Sequence, residues 1–408
     1  MNARVVIVGG SVGGVRTAQA LRTEGYAGHI VLVEAEDELP YDKPPLSKSL
    51  LLGKQEADDI RLLTQEQADA LDVELVLGAP ASGLDPAGKL LHVEGRDPLA
   101  YDDLVIATGA IAKTGPWPLR PGLHVVRTLD DARALKDELA AGGTVVVIGA
   151  GFVGAEVAAT ARALGLETVL VDPLPTPMSR AFEPQVGEVF LDLHRERGVD
   201  CRCGIGVAGI TGDKGDFTVA LSDSTSIAAA TIVIGIGAAP ATGWLEHTGL
   251  TVRDGVVLTE TLQSVDDPNI WAVGDVARWQ TTTDAETGED IRVEHWTNAV
   301  DQAACVAHNI VHREDPRSYE LAEYVWTDQY DWKIQVVGHT TGSPRKVLLG
   351  DPADRRFAWA YADADGTFIG AAVANWPKAL VTFRRAMKSP SPLDTVIAPL
   401  QPVPQEAS

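Results

Sequence analysis

The chain is poor in cysteine, in positive charge and in long apolar runs. Three cysteines, at 201, 203 and 305, stand among 408 residues. An odd, unevenly spaced set excludes the disulfide framework of a small secreted scaffold, and no spacing is the C-x-x-C of a redox pair. Cys201 and Cys203 lie in a strand-like stretch and are expected on opposite faces of it, as structural thiols. Lys and Arg number 34 against 57 Asp and Glu, a net charge of −23. That balance argues against a surface built for nucleic acid or an anionic membrane. No apolar run is long enough to span a bilayer. The chain enters a strand near Arg4 without a basic stretch and cleavage signal. A soluble, cytoplasmic protein of two or three domains is the expectation.

What the chain does have is two glycine-rich turns of the same design. The first follows Val5-Val6-Ile7-Val8 and reads Gly9-Gly10-Ser11-Val12-Gly13-Gly14. The second follows Val145-Val146-Val147-Ile148 and reads Gly149-Ala150-Gly151-Phe152-Val153-Gly154. Each precedes a small-residue helix and then a strand ending in an acid. Glu34 comes 20 residues after Gly14, and Asp172 comes 18 after Gly154. Glycines permit a tight turn and close backbone approach to a pyrophosphate, the helix N-terminus offers free N–H groups, and the acid accepts from ribose hydroxyls. One such motif is weak; two with full context predict two dinucleotides held at once. Ser11 replaces the middle glycine of the first copy, and its hydroxyl can donate to a phosphate. Asp172 disfavours a 2′-phosphate, and Pro173 to Pro177 holds no Lys or Arg to neutralise one, so NADH is expected over NADPH.

Strand–helix alternation in the first hundred residues predicts a parallel sheet. Helix 15–24, strand 30–33 and a buried strand over 104–109 ending at a glycine are expected there. A Pro-, Gly- and Trp-containing linker at 114–118 precedes a second alternating half, with helix 155–164 and strands 168–171 and 231–235. Strand 270–273 runs into Gly274-Asp275. From about 324, short β-prone stretches such as 333–338 and 357–361 predict a third, antiparallel domain. Five prolines lie between Pro390 and the C-terminus, which reads as an extended tail.

Several motifs then agree. Pro40-Tyr41-Asp42-Lys43-Pro44-Pro45-Leu46-Ser47-Lys48, Ala107-Thr108-Gly109, Arg127-Thr128-Leu129-Asp130-Asp131, Gly151-Phe152-Val153-Gly154-Ala155-Glu156, Ala272-Val273-Gly274-Asp275, Glu294-His295-Trp296 and Val325-Trp326-Thr327-Asp328-Gln329 are spread along most of the chain. In these the chain resembles the FAD-dependent, NAD(P)H-linked ferredoxin reductases of bacterial oxygenase systems, within the glutathione-reductase-like flavoproteins. The resemblance implies an α/β fold with two Rossmann-like domains. A discontinuous FAD domain (1–113 and 241–323) would hold an inserted NADH domain (114–240), and a C-terminal α+β domain with an antiparallel sheet (324–408) would follow.

It also implies roles. Gly9, Ser11, Gly14, Glu34, Lys43, Pro45, Lys48, Thr108, Gly109, Arg127, Gly274, Asp275, Glu294, His295 and Trp296 would serve FAD, with Lys113 a further candidate. Lys43 stands where the family usually has Arg. Gly149, Gly151, Phe152, Val153, Gly154, Glu156, Asp172 and Gly237 would serve NADH. Lys48 and Glu156 would flank the flavin ring, and Trp326 would shape the electron exit. No metal is expected. A small iron–sulfur ferredoxin is the expected partner and an oxygenase, haem monooxygenase or ring-hydroxylating dioxygenase, the destination. Residues 35–55 contain no cysteine, which counts against disulfide reductases and thiol-bearing oxidases. A rubredoxin reductase, or an NADH-sensing flavoprotein resembling apoptosis-inducing factor, stays open. A basic group, Lys378, Arg384, Arg385 and Lys388, on a helix expected over 379–388, is the candidate docking face.

Overall fold

The computed structural model describes residues 3–280, 290–321 and 323–401. They form two compact units, each assembled from separate stretches of chain. The first comprises Met1–Pro45, Gln55–Ile111 and Ala238–Ala322; the second comprises Leu46–Lys54, Ala112–Gly237 and Glu323–Ser408. Among the described residues no helix is long and apolar enough to cross a membrane.

The first unit is centred on a five-stranded parallel sheet in the order Ile270–Ala272, Asp103–Ile106, Arg4–Val8, His29–Val33, Val73–Val76. Val5, Val6 and Ile7 are fully buried, as continuous β-branched runs require in a sheet covered on both faces. The helix Val12–Thr23 leaves the sheet at the first glycine turn. It packs on the helix Trp296–Val311 through small residues, with Gly13 close to Ala299.

The second unit repeats the scheme. Its parallel sheet runs Asp200–Cys203, Thr168–Asp172, Val145–Ile148, Thr231–Ile234, Leu123–His124, and the helix Phe152–Ala163 leaves it at the second turn. A three-stranded antiparallel sheet, Val207–Asp213, Asp216–Leu221 and Ser226–Ala229, is added here, an element the sequence reading had not placed. Beyond residue 323 an antiparallel sheet runs Tyr324–Gln329, Trp332–Gly338, Phe368–Ala374, Arg356–Ala362, Arg345–Asp351. It packs against Met178, Phe182, Val186 and Phe190.

Two expectations are corrected. Cys201 and Cys203 pair opposite Leu170 and Asp172 in the edge strand. Residues two apart in a strand share a face, so the thiols lie side by side. They are unpaired, and burial pushes them up to about 12 and about 11 respectively, consistent with inert structural residues. The tail after Pro390 is not extended over its described part. The helix Leu393–Ile397 and the 3-10 turn Ala398–Leu400 bury Leu393, Val396, Ile397 and Leu400. Apolar residues at that spacing outweigh the prolines, because Pro392 caps the helix and Pro399 occupies the first turn of the next. Residues 402–408 lie outside the described residues.

Candidate functional site

The two glycine turns are wired identically. In the first, Gly9 N–H donates to Val33 O at 2.8 Å, Gly10 N–H donates to Glu34 Oε2, and Glu36 N–H donates to Glu34 Oε1 at 3.0 Å. In the second, Gly149 N–H donates to Val171 O at 2.8 Å. Ala150 N–H donates to Asp172 Oδ2 at 2.6 Å and Leu174 N–H to Oδ1 at 2.7 Å. Each acid is therefore fixed by backbone donors from the turn and from its own loop. Each oxygen keeps a second lone pair for a ribose hydroxyl.

The glycine requirement is steric at two positions of each turn. A Cβ on Gly9 would lie 2.3 Å from Ala107 O, and one on Gly149 would lie 2.4 Å from Gly235 O. On Gly14 and Gly154 it would lie 1.9 Å from the oxygens of Gly9 and Gly149. Gly151 differs, because a Cβ there would meet nothing within 4 Å. The chain's own packing does not demand that glycine, and the open space beside it leaves room for a ligand to approach the backbone. Ser11 takes the equivalent place in the first turn and makes no side-chain capping bond, leaving its hydroxyl for a phosphate. Neither helix has an acid in its first turn, so both N-termini suit an anion. Phe152 packs toward Phe182, centroids 6.5 Å apart, and Val153 is exposed.

Around the first turn, Gly10, Ser11, Glu34, Glu38, Pro40, Tyr41 and Lys43 line a cleft. Lys43 Nζ stands 2.8 Å from Glu36 Oε1 and donates to Tyr41 Oη at 2.9 Å, while that hydroxyl donates to Glu36 Oε2 at 2.6 Å. Pro45 lies in the 3-10 turn Pro44–Ser47. Thr108 Oγ1 donates to Ala241 O at 3.0 Å, and Gly109 has φ +65°. Gly274, at φ +76°, donates to the buried Gln302 Oε1 at 2.7 Å and opens the turn carrying Asp275. Arg292 joins Glu294 to this turn, donating to Glu294 Oε1 at 2.6 Å and to Asp275 O at 3.0 Å. His295 caps the helix Trp296–Val311. Burial holds its imidazole below the usual range, and its Nδ1 has no partner among the described residues, an orphaned buried polar atom of the kind a cofactor satisfies. Trp296 Nε1 donates to Asp42 Oδ1 at 2.8 Å.

In the second unit, Lys48 and Glu156 meet. Lys48 Nζ is 2.8 Å from Glu156 Oε2, with side chains 17% and 5% exposed. Glu156 also accepts from Ser47 Oγ at 2.5 Å and from Thr327 Oγ1 at 2.6 Å. Thr160 Oγ1 donates to Ser47 O at 3.0 Å. A buried carboxylate is tolerable when paired and fully hydrogen-bonded, and three donors meet that need. Ser47 and Thr327 were missed as site residues, although each adjoins a named one, Lys48 or Trp326, in a motif already singled out. Trp326 falls on the other face of its strand from Thr327. It stacks on Tyr324, centroids 6.0 Å apart. His194, held by Gln329 Oε1 at 3.0 Å and Tyr330 Oη at 2.9 Å, is pushed down to about 4 by burial and is neutral at physiological pH. Arg127 N–H donates to Asp131 at 3.1 Å at the start of the helix Leu129–Ala141. Lys113 N–H donates to Gly237 O at 2.9 Å.

Two glycine turns, each with an acid fixed by backbone donors, and a buried Lys–Glu pair without a thiol fit a dinucleotide-dependent flavoprotein oxidoreductase. The chain belongs to the pyridine nucleotide-disulphide oxidoreductase family, whose model matches residues 3–303, and carries a reductase C-terminal domain over 324–398. The family's cofactors, FAD and NAD(P)H, are those of this chain. It is 33% identical over 384 residues to the anthranilate 1,2-dioxygenase system ferredoxin–NAD(+) reductase component of Burkholderia cepacia, covering 93% of each chain. Among solved structures it is similar to the ferredoxin reductase for the CYP199A2 system of Rhodopseudomonas palustris, at 32% identity and TM-score 0.91 over 97% of both chains. It is also similar to the covalent putidaredoxin reductase–putidaredoxin complex, at 30% identity and TM-score 0.88 over 98% and 99%.

Proposed function

We propose that the protein carries electrons from NADH, through FAD, to a small iron–sulfur ferredoxin that serves an oxygenase, and that it works in the cytoplasm. The observation that carries this reading is the duplicated turn wiring, which suits two dinucleotides. The absence of cysteine at 35–55 supports an external acceptor over an internal disulfide. Its relatives' names point to the same partner class.

We assign FAD to the first turn, with Glu34 on its ribose, Ser11 on its pyrophosphate, and Lys43, Pro45, Thr108, Gly109, Arg127, Gly274, Asp275, Glu294, His295 and Trp296 along its length. We assign NADH to the second turn and to Gly237. The domain limits expected from sequence, 1–113 with 241–323, 114–240 and 324–408, remain our division. Bound FAD supplies the exchange between a two-electron donor and a one-electron acceptor. The protein's part is placement and charge. Glu156 fixes Lys48, Ser47 and Thr327 fix Glu156, and the ammonium so held favours negative charge beside it.

The test is an absorption spectrum. Anaerobic NADH is expected to bleach the flavin band of the purified protein, and oxidised ferredoxin to restore it, with NADPH far less effective. Failure of every ferredoxin to reoxidise the flavin would leave an NADH-sensing role instead. Equal use of NADPH would refute the reading of Asp172.

The C-terminal basic group supports a docking face. The helix runs Pro377–Ala386, two residues earlier than expected at each end, because Pro377 fits the first turn. Lys378 is tied to Pro399 O at 2.8 Å. Arg384 lies 4.8 Å over the Tyr324 ring, which stacks on Trp326. Arg384, Arg385 and Lys388 are exposed. The double charge reversal Arg384→Glu/Arg385→Glu is expected to raise KM for ferredoxin about tenfold at low salt and leave dye reduction unchanged. Equal loss with both acceptors would overturn the assignment.

A further inference from the structure

The helix Trp296–Val311 ends in His308-Asn309-Ile310-Val311-His312. The two histidines stand one turn apart on one face, with ring centroids 4.5 Å apart. Glu24, the C-cap of the helix Val12–Thr23, faces both. Its Oε2 is 3.4 Å from His308 Nδ1 and 3.0 Å from His312 Nε2. The three donor atoms all lie within 4.8 Å of one another.

The hydrogen bonding of His308 makes this more than a cluster. Its ring is buried, and Nε2 lies 3.2 Å from the Asp315 carbonyl. A carbonyl only accepts, so Nε2 carries the hydrogen and Nδ1 of the neutral ring is a lone pair. That lone pair points at a carboxylate oxygen, itself an acceptor. Two acceptors aimed at each other need either a proton or a metal ion between them. A metal-bound histidine characteristically donates its other N–H to a carbonyl or carboxylate, the arrangement seen here. Nitrogen and oxygen ligands at about 2.0–2.1 Å around tetrahedral zinc stand ~3.3 Å apart, and the two Glu24–His separations bracket that value. Both helices end at this point, so their carbonyl ends add negative potential. The His312 side chain is 44% exposed, which leaves a fourth position to water.

We propose that Glu24, His308 and His312 form a structural site for Zn2+ or a similar borderline divalent ion. The ion ties together the C-terminal ends of the two helices that begin at the first glycine turn and at His295. The site rests on contacts within the first unit alone and stands or falls independently of the electron-transfer reading.

The experiment is calorimetric titration of the metal-stripped, FAD-loaded full chain with ZnCl2, with thermal melting alongside. One Zn2+ per chain is expected, with a rise in melting temperature. His312→Ala, at an exposed position that tolerates truncation, and Glu24→Gln are each expected to weaken binding at least about tenfold and abolish the zinc-dependent rise. The double change Cys201→Ser/Cys203→Ser is expected to leave both intact. Absence of saturable binding up to millimolar Zn2+, or unchanged binding in His312→Ala, would overturn the site and identify the cluster as a proton-bridged ion pair.

Discussion

Replacing Glu156 with Ala is expected to cause the largest single loss of both stability and electron transfer. The substitution leaves Lys48, whose side chain is 17% exposed, without its counter-charge. It also strands the Ser47 and Thr327 hydroxyls that Glu156 accepts from. Removing one member of a buried ion pair costs about 3–5 kcal/mol. Lys48 is only partly buried, so the lower end applies. Reduction of the flavin by NADH is expected to slow roughly a hundredfold, the usual cost of losing one preorganised charged group. Two companion variants separate fold from chemistry. Glu156→Gln keeps the size and part of the hydrogen bonding, and is expected to recover most of the stability and little of the rate. Glu156→Gln combined with Lys48→Met removes both charges, and is expected to melt near the wild-type temperature while still reducing slowly. Stopped-flow absorbance and thermal melting read the two effects apart. A double variant as fast as wild type would show that the pair is structural only.

What was legible in the sequence follows from how local each device is. Each dinucleotide turn is complete within some 25 residues, and the wiring of Glu34 to Gly10 and of Asp172 to Ala150 repeats what the spacing implied. The carboxylate at 156 was visible only through its motif's resemblance to the family, one turn into its helix. Its partners Ser47 and Thr327 lie 109 and 171 residues away, and only the fold makes them neighbours. The pairing of Glu24 with His312 spans 288 residues, and nothing local in the sequence marks either residue. The tail failed for a different reason. Its prolines outweighed the Leu393, Val396, Ile397, Leu400 spacing that buries one face. The Cys201 and Cys203 error was one of counting the pleat, since period two returns the third residue to the first face.

The glycines of the second turn offer a sharper experiment, because they are required for different reasons. At Gly154 an added Cβ would sit 1.9 Å from Gly149 O, backbone that cannot move without unmaking the strand–helix junction. Gly154→Ala is therefore expected to lower stability by about 1–3 kcal/mol, the usual cost of overpacking, and to lose NADH binding with it. At Gly151 the same atom would enter open space. Gly151→Ala is expected to fold and melt like wild type and to retain FAD, because the first turn is untouched. KM for NADH is expected to rise at least about tenfold, a loss of roughly 1.4 kcal/mol of binding, because the methyl group would stand on the path we assign to the pyrophosphate. The first turn already carries a side chain at the matching position, Ser11, and its hydroxyl makes no capping bond of its own. Gly151→Ser is therefore expected to bind NADH better than Gly151→Ala, as a hydroxyl can donate to the phosphate that a methyl only obstructs. Equal KM values for Gly151→Ala and wild type, at unchanged melting temperature, would place the pyrophosphate elsewhere and remove the second turn from the NADH site.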